Sequence, residues 1–138
     1  MRFWDTSALI PLVAADRATR KMLDLLSRDR EIVVWMFTPI DLAATIRRKG
    51  PRYRPEVRRE AEAFLAALEP VFVSIDDSRA VEERARKLAA THSLSAADAQ
   101  QLAAALVACF GKPDGFPFVT LNQRLAGAAR TEGFAVLP

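Results

Sequence analysis

A chain of 138 residues has room for one ordinary domain, and residues 1–138 read as a single unit. With 51% hydrophobic and 27% charged residues it is neither collagen-like nor low-complexity nor disordered. No apolar run approaches the ~18 residues of a membrane span, Asp5 interrupts the stretch a signal peptide would need, and Cys109, the sole cysteine, excludes an internal disulfide or a cysteine-built zinc cluster, so the expected location is cytoplasmic with no membrane partner.

The chain opens on a short apolar strand, Arg2-Phe3-Trp4, ending at Asp5, after which Thr6 or Ser7 is the expected cap of a helix over Ala8–Ala15. A second helix is predicted over Thr19–Ser27. Ile32-Val33-Val34-Trp35 is a continuous apolar run, the pattern of a strand buried on both faces. Thr38-Pro39 reads as cap and first residue of the next helix, which Gly50-Pro51 breaks. Val57, Ala61, Phe64, Leu65 and Leu68 recur at helical spacing over Glu56–Leu68. Val71–Ile75 is the third strand, and Asp76-Asp77-Ser78 opens a helix to Thr91. A very apolar helix begins at Ser95 and reaches Phe110, central because its surroundings must cover it on most sides. Phe118-Val119-Thr120, a helix over Asn122–Glu132 and Phe134-Ala135-Val136 complete the chain. Strands alternating with helices predict a three-layer α/β/α architecture around a central parallel five-stranded sheet.

The net charge of +3 conceals an uneven distribution. Between Leu42 and Arg59 stand seven basic residues, among them Arg47, Arg48 and Arg52, against Glu56 alone; that segment carries +6 and the rest of the chain −3. A basic strip on a slightly acidic body suits a nucleic-acid backbone, and equally suits a solvated helix face.

The acids show a second pattern. In an open parallel sheet, ligands bind beyond the carboxyl ends of the strands, near the point where strand order reverses. Asp5 ends the first strand, Asp41 lies in the first turn of the helix after the second, and Asn122 follows the fourth, so these three converge on one edge. Asp98, three residues after Ser95, follows a helix, and its arrival there does not follow from the alternation. Converging carboxylates repel and raise at least one pKa unless a cation compensates. An all-oxygen set suits Mg2+, with Mn2+ as the alternative, and an ion with open positions activates water for phosphodiester hydrolysis. Helix capping alone accounts for Asp41 and Asp98 equally well.

Three stretches carry a family resemblance. Phe3-Trp4-Asp5-Thr6-Ser7-Ala8-Leu9, Leu94 to Ala103 with its Ala-Ala-Asp-Ala core, and Phe118-Val119-Thr120-Leu121-Asn122-Gln123-Arg124-Leu125 follow in the order and spacing of a PIN domain. The chain resembles in particular the VapC-type toxins of toxin–antitoxin pairs. The resemblance implies a Mg2+-dependent endoribonuclease cutting structured RNA such as tRNA or rRNA, held in check by a cognate antitoxin and forming a homodimer. It implies that Asp5, Asp41, Asp98 and Asn122 are the catalytic set, with Asp5, Asp98 and Asp41 on the metal. From their own positions, Thr6, Ser7 and Thr120 can hydrogen-bond a ligating carboxylate or a bound water, with helix capping the competing role for Thr6 and Ser7, and Arg47 and Arg48, one to two turns beyond Asp41 on the same helix, are with Arg52 the expected RNA contacts.

Two positions depart from the family pattern. Asp41 stands where a glutamate is usual, one methylene shorter. Asn122 stands where an aspartate is usual, so the quartet becomes three acids and an amide whose oxygen accepts from a metal-bound water. Asp114, in a Pro-Asp-Gly turn, is a remote substitute. Both departures fall on metal positions, which keeps open a catalytically impaired domain that binds RNA or antitoxin without cleaving. A phosphatase or receiver is disfavoured: no second aspartate follows Asp5 by two residues, and no lysine follows the fifth strand. The apolar cluster Leu9, Ile10, Leu12 and Val13 suits either core packing or a partner surface.

Overall fold

The computed structural model describes Met1–Pro138. Five strands, β1 (Arg2–Trp4), β2 (Ile32–Trp35), β3 (Phe72–Ile75), β4 (Pro117–Val119) and β5 (Ala135–Leu137), form one sheet in the order β3-β2-β1-β4-β5. Every pairing is parallel, with Phe3 opposite Val33 on one side and Phe118 on the other. Seven α-helices connect them: α1 (Thr6–Val13), α2 (Thr19–Arg28), α3 (Thr38–Lys49), α4 (Pro55–Leu68), α5 (Ser78–His92), α6 (Ala96–Ala108) and α7 (Gln123–Glu132).

Period-two alternation along the strands divides the core. Trp4, Ile32, Val34 and Val119 face α1 to α4, where they meet Leu9, Leu12, Met22, Leu42 and Leu65. Phe3, Val33, Trp35 and Phe118 face α5 to α7. There the Phe3 and Phe118 rings stack with centroids 5.4 Å apart. All four residues of β2 are buried, as a doubly covered strand requires. The edge strand β3 leaves Val73 exposed.

The apolar α6 lies at the centre of the second core, with Ala99 and Leu102 to Leu106 buried. Leu102 is fully buried, so Leu102→Ala is expected to cost about 2–5 kcal/mol by chemical denaturation. The helix stops at Ala108, short of the expected Phe110, because Phe110 takes a left-handed conformation (φ +53°) and turns its ring into solvent.

Other boundaries differ for identifiable reasons. Helix α1 begins at Thr6, and its cap is Asp5, whose carboxylate accepts from the Ser7 amide; neither Thr6 nor Ser7 is the cap. Thr38 is no cap either: it is fully buried inside α3, whose N-cap position, Phe37, makes no side-chain capping bond. Leu9, Leu12 and Val13 are buried in the protein's own core, which accounts for most of the apolar cluster in α1.

Candidate active site

The order of the sheet reverses at β1: the chain first builds outward through β2 and β3, then returns to add β4 and β5 on the other side. The carboxyl ends of β1 and β4 therefore open a crevice between diverging connections. Asp5 follows the last residue of β1 there, and Thr120, Leu121 and Asn122 follow β4.

Asp5 is only 4% exposed. One of its oxygens, Oδ2, accepts from the Ser7 amide at 3.2 Å, from the Thr120 hydroxyl at 2.9 Å and from the Ser7 hydroxyl. Ser7 Oγ in turn accepts from the Leu121 amide at 2.9 Å, and Thr120 Oγ1 accepts from the Asn122 amide at 3.1 Å. Two hydroxyls thus stitch the end of β1 to the end of β4. Burial pushes the Asp5 carboxyl above the usual carboxylate range, the hydroxyl and amide bonds oppose that rise, and the Asp98 charge adds to it. Repulsion between carboxylates, the cause expected from the sequence, is the smallest contribution.

A pocket of about 350 Å³ brings together Asp5, Asp41, Asp98, Asn122 and Arg48. Asp41, in the first turn of α3, is half-buried; burial raises its carboxyl, while Arg48 and a hydrogen bond from Thr6 pull it down. Asp98 comes from the first turn of α6, where Ser95 supplies the cap by accepting from its amide at 3.1 Å. The pairing of Asp98 with Asn122 confirms that α6 starts at the same sheet edge: Asn122 Nδ2 donates to Asp98 Oδ1 at 3.0 Å.

That bond corrects the role expected for Asn122. Its amide oxygen does not face the pocket. It caps α7, accepting from the Arg124 and Leu125 amides at 3.1 and 3.3 Å, so the NH2 group is what meets Asp98. Of the three arginines, only Arg48 lines the acidic pocket; Arg47 faces the α3–α4 groove beside Glu62, and Arg52 is exposed in the turn after α3. Asp114 sits in a turn at φ +27° and does not line the pocket. His92 lies outside it too, its Nε2 paired with Glu132 at 2.6 Å.

Gln101 is the residue sequence reasoning missed. It is 3% exposed and lines the same pocket. Its Nε2 donates to Thr6 Oγ1 at 3.0 Å and to Thr38 Oγ1 at 3.3 Å, and its Oε1 has no partner. It ties α6 to the first turns of α1 and α3, the turns that carry Asp5's neighbours and Asp41. The available signal was an amide within an apolar helix, three residues after Asp98 and so on the same face. Gln101→Leu is expected to change the melting temperature by no more than about 3 °C, since it removes an orphaned oxygen along with two bonds. It is expected to weaken stabilisation by Mn2+ about tenfold in concentration, as loss of an outer-shell partner does.

With the geometry in place, the family model for the PIN domain matches residues 2–130. The chain belongs to the PIN domain family. A search of curated proteins finds no match. The PIN domain is a nuclease-type fold, and its members in general use divalent metal ions.

The residues of this PIN domain suit such an ion in donor chemistry: the pocket offers oxygen ligands only. Asp5 Oδ1 and Asp98 Oδ2 take part in no protein hydrogen bond, which leaves each acid one oxygen for a cation. No three acidic, histidine or cysteine side chains stand close enough to form a ready-made cage. Asp5 and Asp98, each with an oxygen outside the protein's own hydrogen bonds, are the residues that would hold such an ion, and Asp41 lines the same pocket. No helix of the chain is long and apolar enough to cross a membrane.

Proposed function

We propose that this PIN domain is a metal-dependent endoribonuclease and the toxin of a toxin–antitoxin pair. The observation that carries the reading is the buried Asp5 carboxylate, held by Ser7 and Thr120 at the switch point of the sheet and facing Asp41 and Asp98 across one pocket. Proteins do not ordinarily bury a carboxylate away from any cation, and the cost of doing so is offset when a cation binds.

A bound divalent ion would supply Lewis-acid charge and an activated water. Asp5 and Asp98 would hold it. Ser7 and Thr120 fix the orientation of Asp5, and Gln101 fixes Thr6. Asp41, which lines the same pocket, would accept the proton lost by a water activated there. Arg48 stands at the rim, where its guanidinium draws a phosphate toward a pocket whose acids would otherwise repel it. The strip continuing through Arg47, Arg52, Arg54 and Arg58 supports a longer stretch of RNA backbone, tRNA or rRNA among the candidates. A cognate antitoxin and a second copy of the chain belong to the same reading, which rests for them on family likeness.

Incubation of purified protein with total RNA in Mg2+, Mn2+ or EDTA tests it. Cleavage that needs the metal and disappears in Asp5→Asn is the expected result. A second reading, a domain that binds RNA or antitoxin without cutting, is favoured by one observation: the Asn122 oxygen is committed to capping α7, so the pocket holds three acids and no fourth ligand from β4. RNA retained intact in all conditions, with binding preserved, would establish that reading instead.

A further inference from the structure

On the other side of the first turn of α6 lies a larger, mostly apolar groove of about 420 Å³. Ala97, Asp98 and Gln101 line the acidic pocket, while Ala96, Ala99 and Gln100 line this groove, so the two recesses are separated only by the amino end of one helix. The Trp35 side chain forms part of the wall, and its indole N–H is buried with no acceptor in the protein. Phe37 stands edge-on to that indole, centroids 5.3 Å apart, and is 43% exposed. Ser78 and Gln100 bring the hydrogen-bonding groups, and Glu82 and Arg86, paired with each other, border the opening.

This combination has a definite chemical preference. Apolar walls with an exposed aromatic ring take a flat ring, and the polar edge of Ser78 and Gln100 takes a ring bearing donors and acceptors. A heteroaromatic ring satisfies both. The position narrows the class further. Phe37 leads directly into α3, which carries Asp41, and the groove shares the α6 end with Asp98. A strand crossing that helix end would set a phosphate over the acids and a neighbouring base over the groove, with the positive end of the helix dipole beneath it.

We propose that this groove is a nucleobase subsite, in which an unstacked base next to the phosphate held at the acidic pocket lies against Phe37. The inference rests on the nuclease reading for its substrate but not for its test. Stacking of a base on an exposed aromatic side chain is sequence-tolerant and contributes about tenfold or more to affinity.

The two tryptophans of the chain, Trp4 and Trp35, lie on opposite faces of the sheet, so their two indole N–H signals in a 15N-correlated NMR spectrum give a probe and an internal control. Adenosine and uridine monophosphate are expected to shift the Trp35 signal and leave that of Trp4 in place, and ribose 5-phosphate, which has no base, to shift neither. A single-stranded RNA octamer, titrated with the metal chelated, is expected to produce the same shift at lower concentration than either mononucleotide. Phe37→Ala and Ala89→Leu, the second of which fills the groove from α5, are expected to weaken the octamer about tenfold while the melting temperature stays close to wild type. Equal shifts from ribose 5-phosphate, an unmoved Trp35 signal, mononucleotide binding that the octamer does not share, or variants that bind the octamer as wild type does would each overturn the subsite. None of these outcomes depends on cleavage, so a protein that fails to cut RNA yet shows the Trp35 shift would refute the nuclease and retain the subsite.

Discussion

Asp5→Asn is expected to abolish metal-stimulated cleavage, by on the order of 10³-fold, and at the same time to raise the melting temperature of the metal-free protein at neutral pH. The two effects have one cause. Asp5 is held as a carboxylate in a site where burial disfavours the charge. All three of its hydrogen bonds fall on Oδ2, so an asparagine that places its oxygen there keeps the cap of α1 and the links to Ser7 and Thr120. The sign of the pH dependence follows. An acid whose pKa is raised by folding binds more protons in the native state than in the unfolded one between the two pKa values. Stability therefore falls as pH rises through that window, from near the ordinary carboxylate value upward. Asp41, also raised, acts in the same direction. Thermal melts from pH 4 to pH 8 in EDTA should show a decline in wild type that flattens in Asp5→Asn, and Mn2+ should restore wild type while leaving the variant unmoved. A variant that melts below wild type without metal at neutral pH would contradict the buried-charge account.

The second large effect concerns Asn122→Asp. The native amide donates to Asp98 at 3.0 Å, so an aspartate there places two carboxylates within hydrogen-bonding distance of each other. Such a pair cannot both ionise freely without a cation. The capping role survives the change, because aspartate serves as an N-cap about as well as asparagine. Metal-free Asn122→Asp should therefore melt several degrees below wild type near neutral pH and approach it as pH falls. With Mn2+ the order reverses: the added charge should tighten binding tenfold or more, measured by calorimetric titration. If cleavage rises in parallel, the asparagine limits turnover in the native protein. If metal binding tightens and no cleavage appears, the non-cleaving reading is strengthened.

The parts of this fold that can be read along the chain are those where one local property decides the outcome. Ile32 to Trp35 had to be covered on both sides because no polar residue interrupts it, and it is. Asp5, directly after an apolar strand, had few places to lie other than the crevice. Capping was harder to read. Thr38-Pro39 carries every local mark of a helix start, yet Thr38 is used inside the protein as an acceptor for Gln101, a residue 63 positions away. Asn122 shows the same limit in finer detail: its position was legible, but which end of its amide faces Asp98 depends on the free amides of α7 competing for its oxygen. Gln101 escaped notice because its chemistry appears only when α1, α3 and α6 are assembled. Arg47 and Arg48, adjacent in sequence, diverge by the 100° that separates consecutive helical side chains, and only one reaches the acids.

The split of the core also has a consequence for synthesis. All of the helices on one face of the sheet, α1 to α4, precede residue 69, whereas the donors that tie Asp5 and Ser7 to β4 wait for Thr120 and Leu121. A growing chain can bury Trp4, Leu9 and Leu42 early, but until β4 is inserted beside β1 the Asp5 carboxylate lacks its hydroxyl clamp from Thr120, and Asp98 lacks Asn122. The pocket therefore depends on residues from the final fifth of the chain, and a chain that has not yet placed β4 beside β1 lacks it.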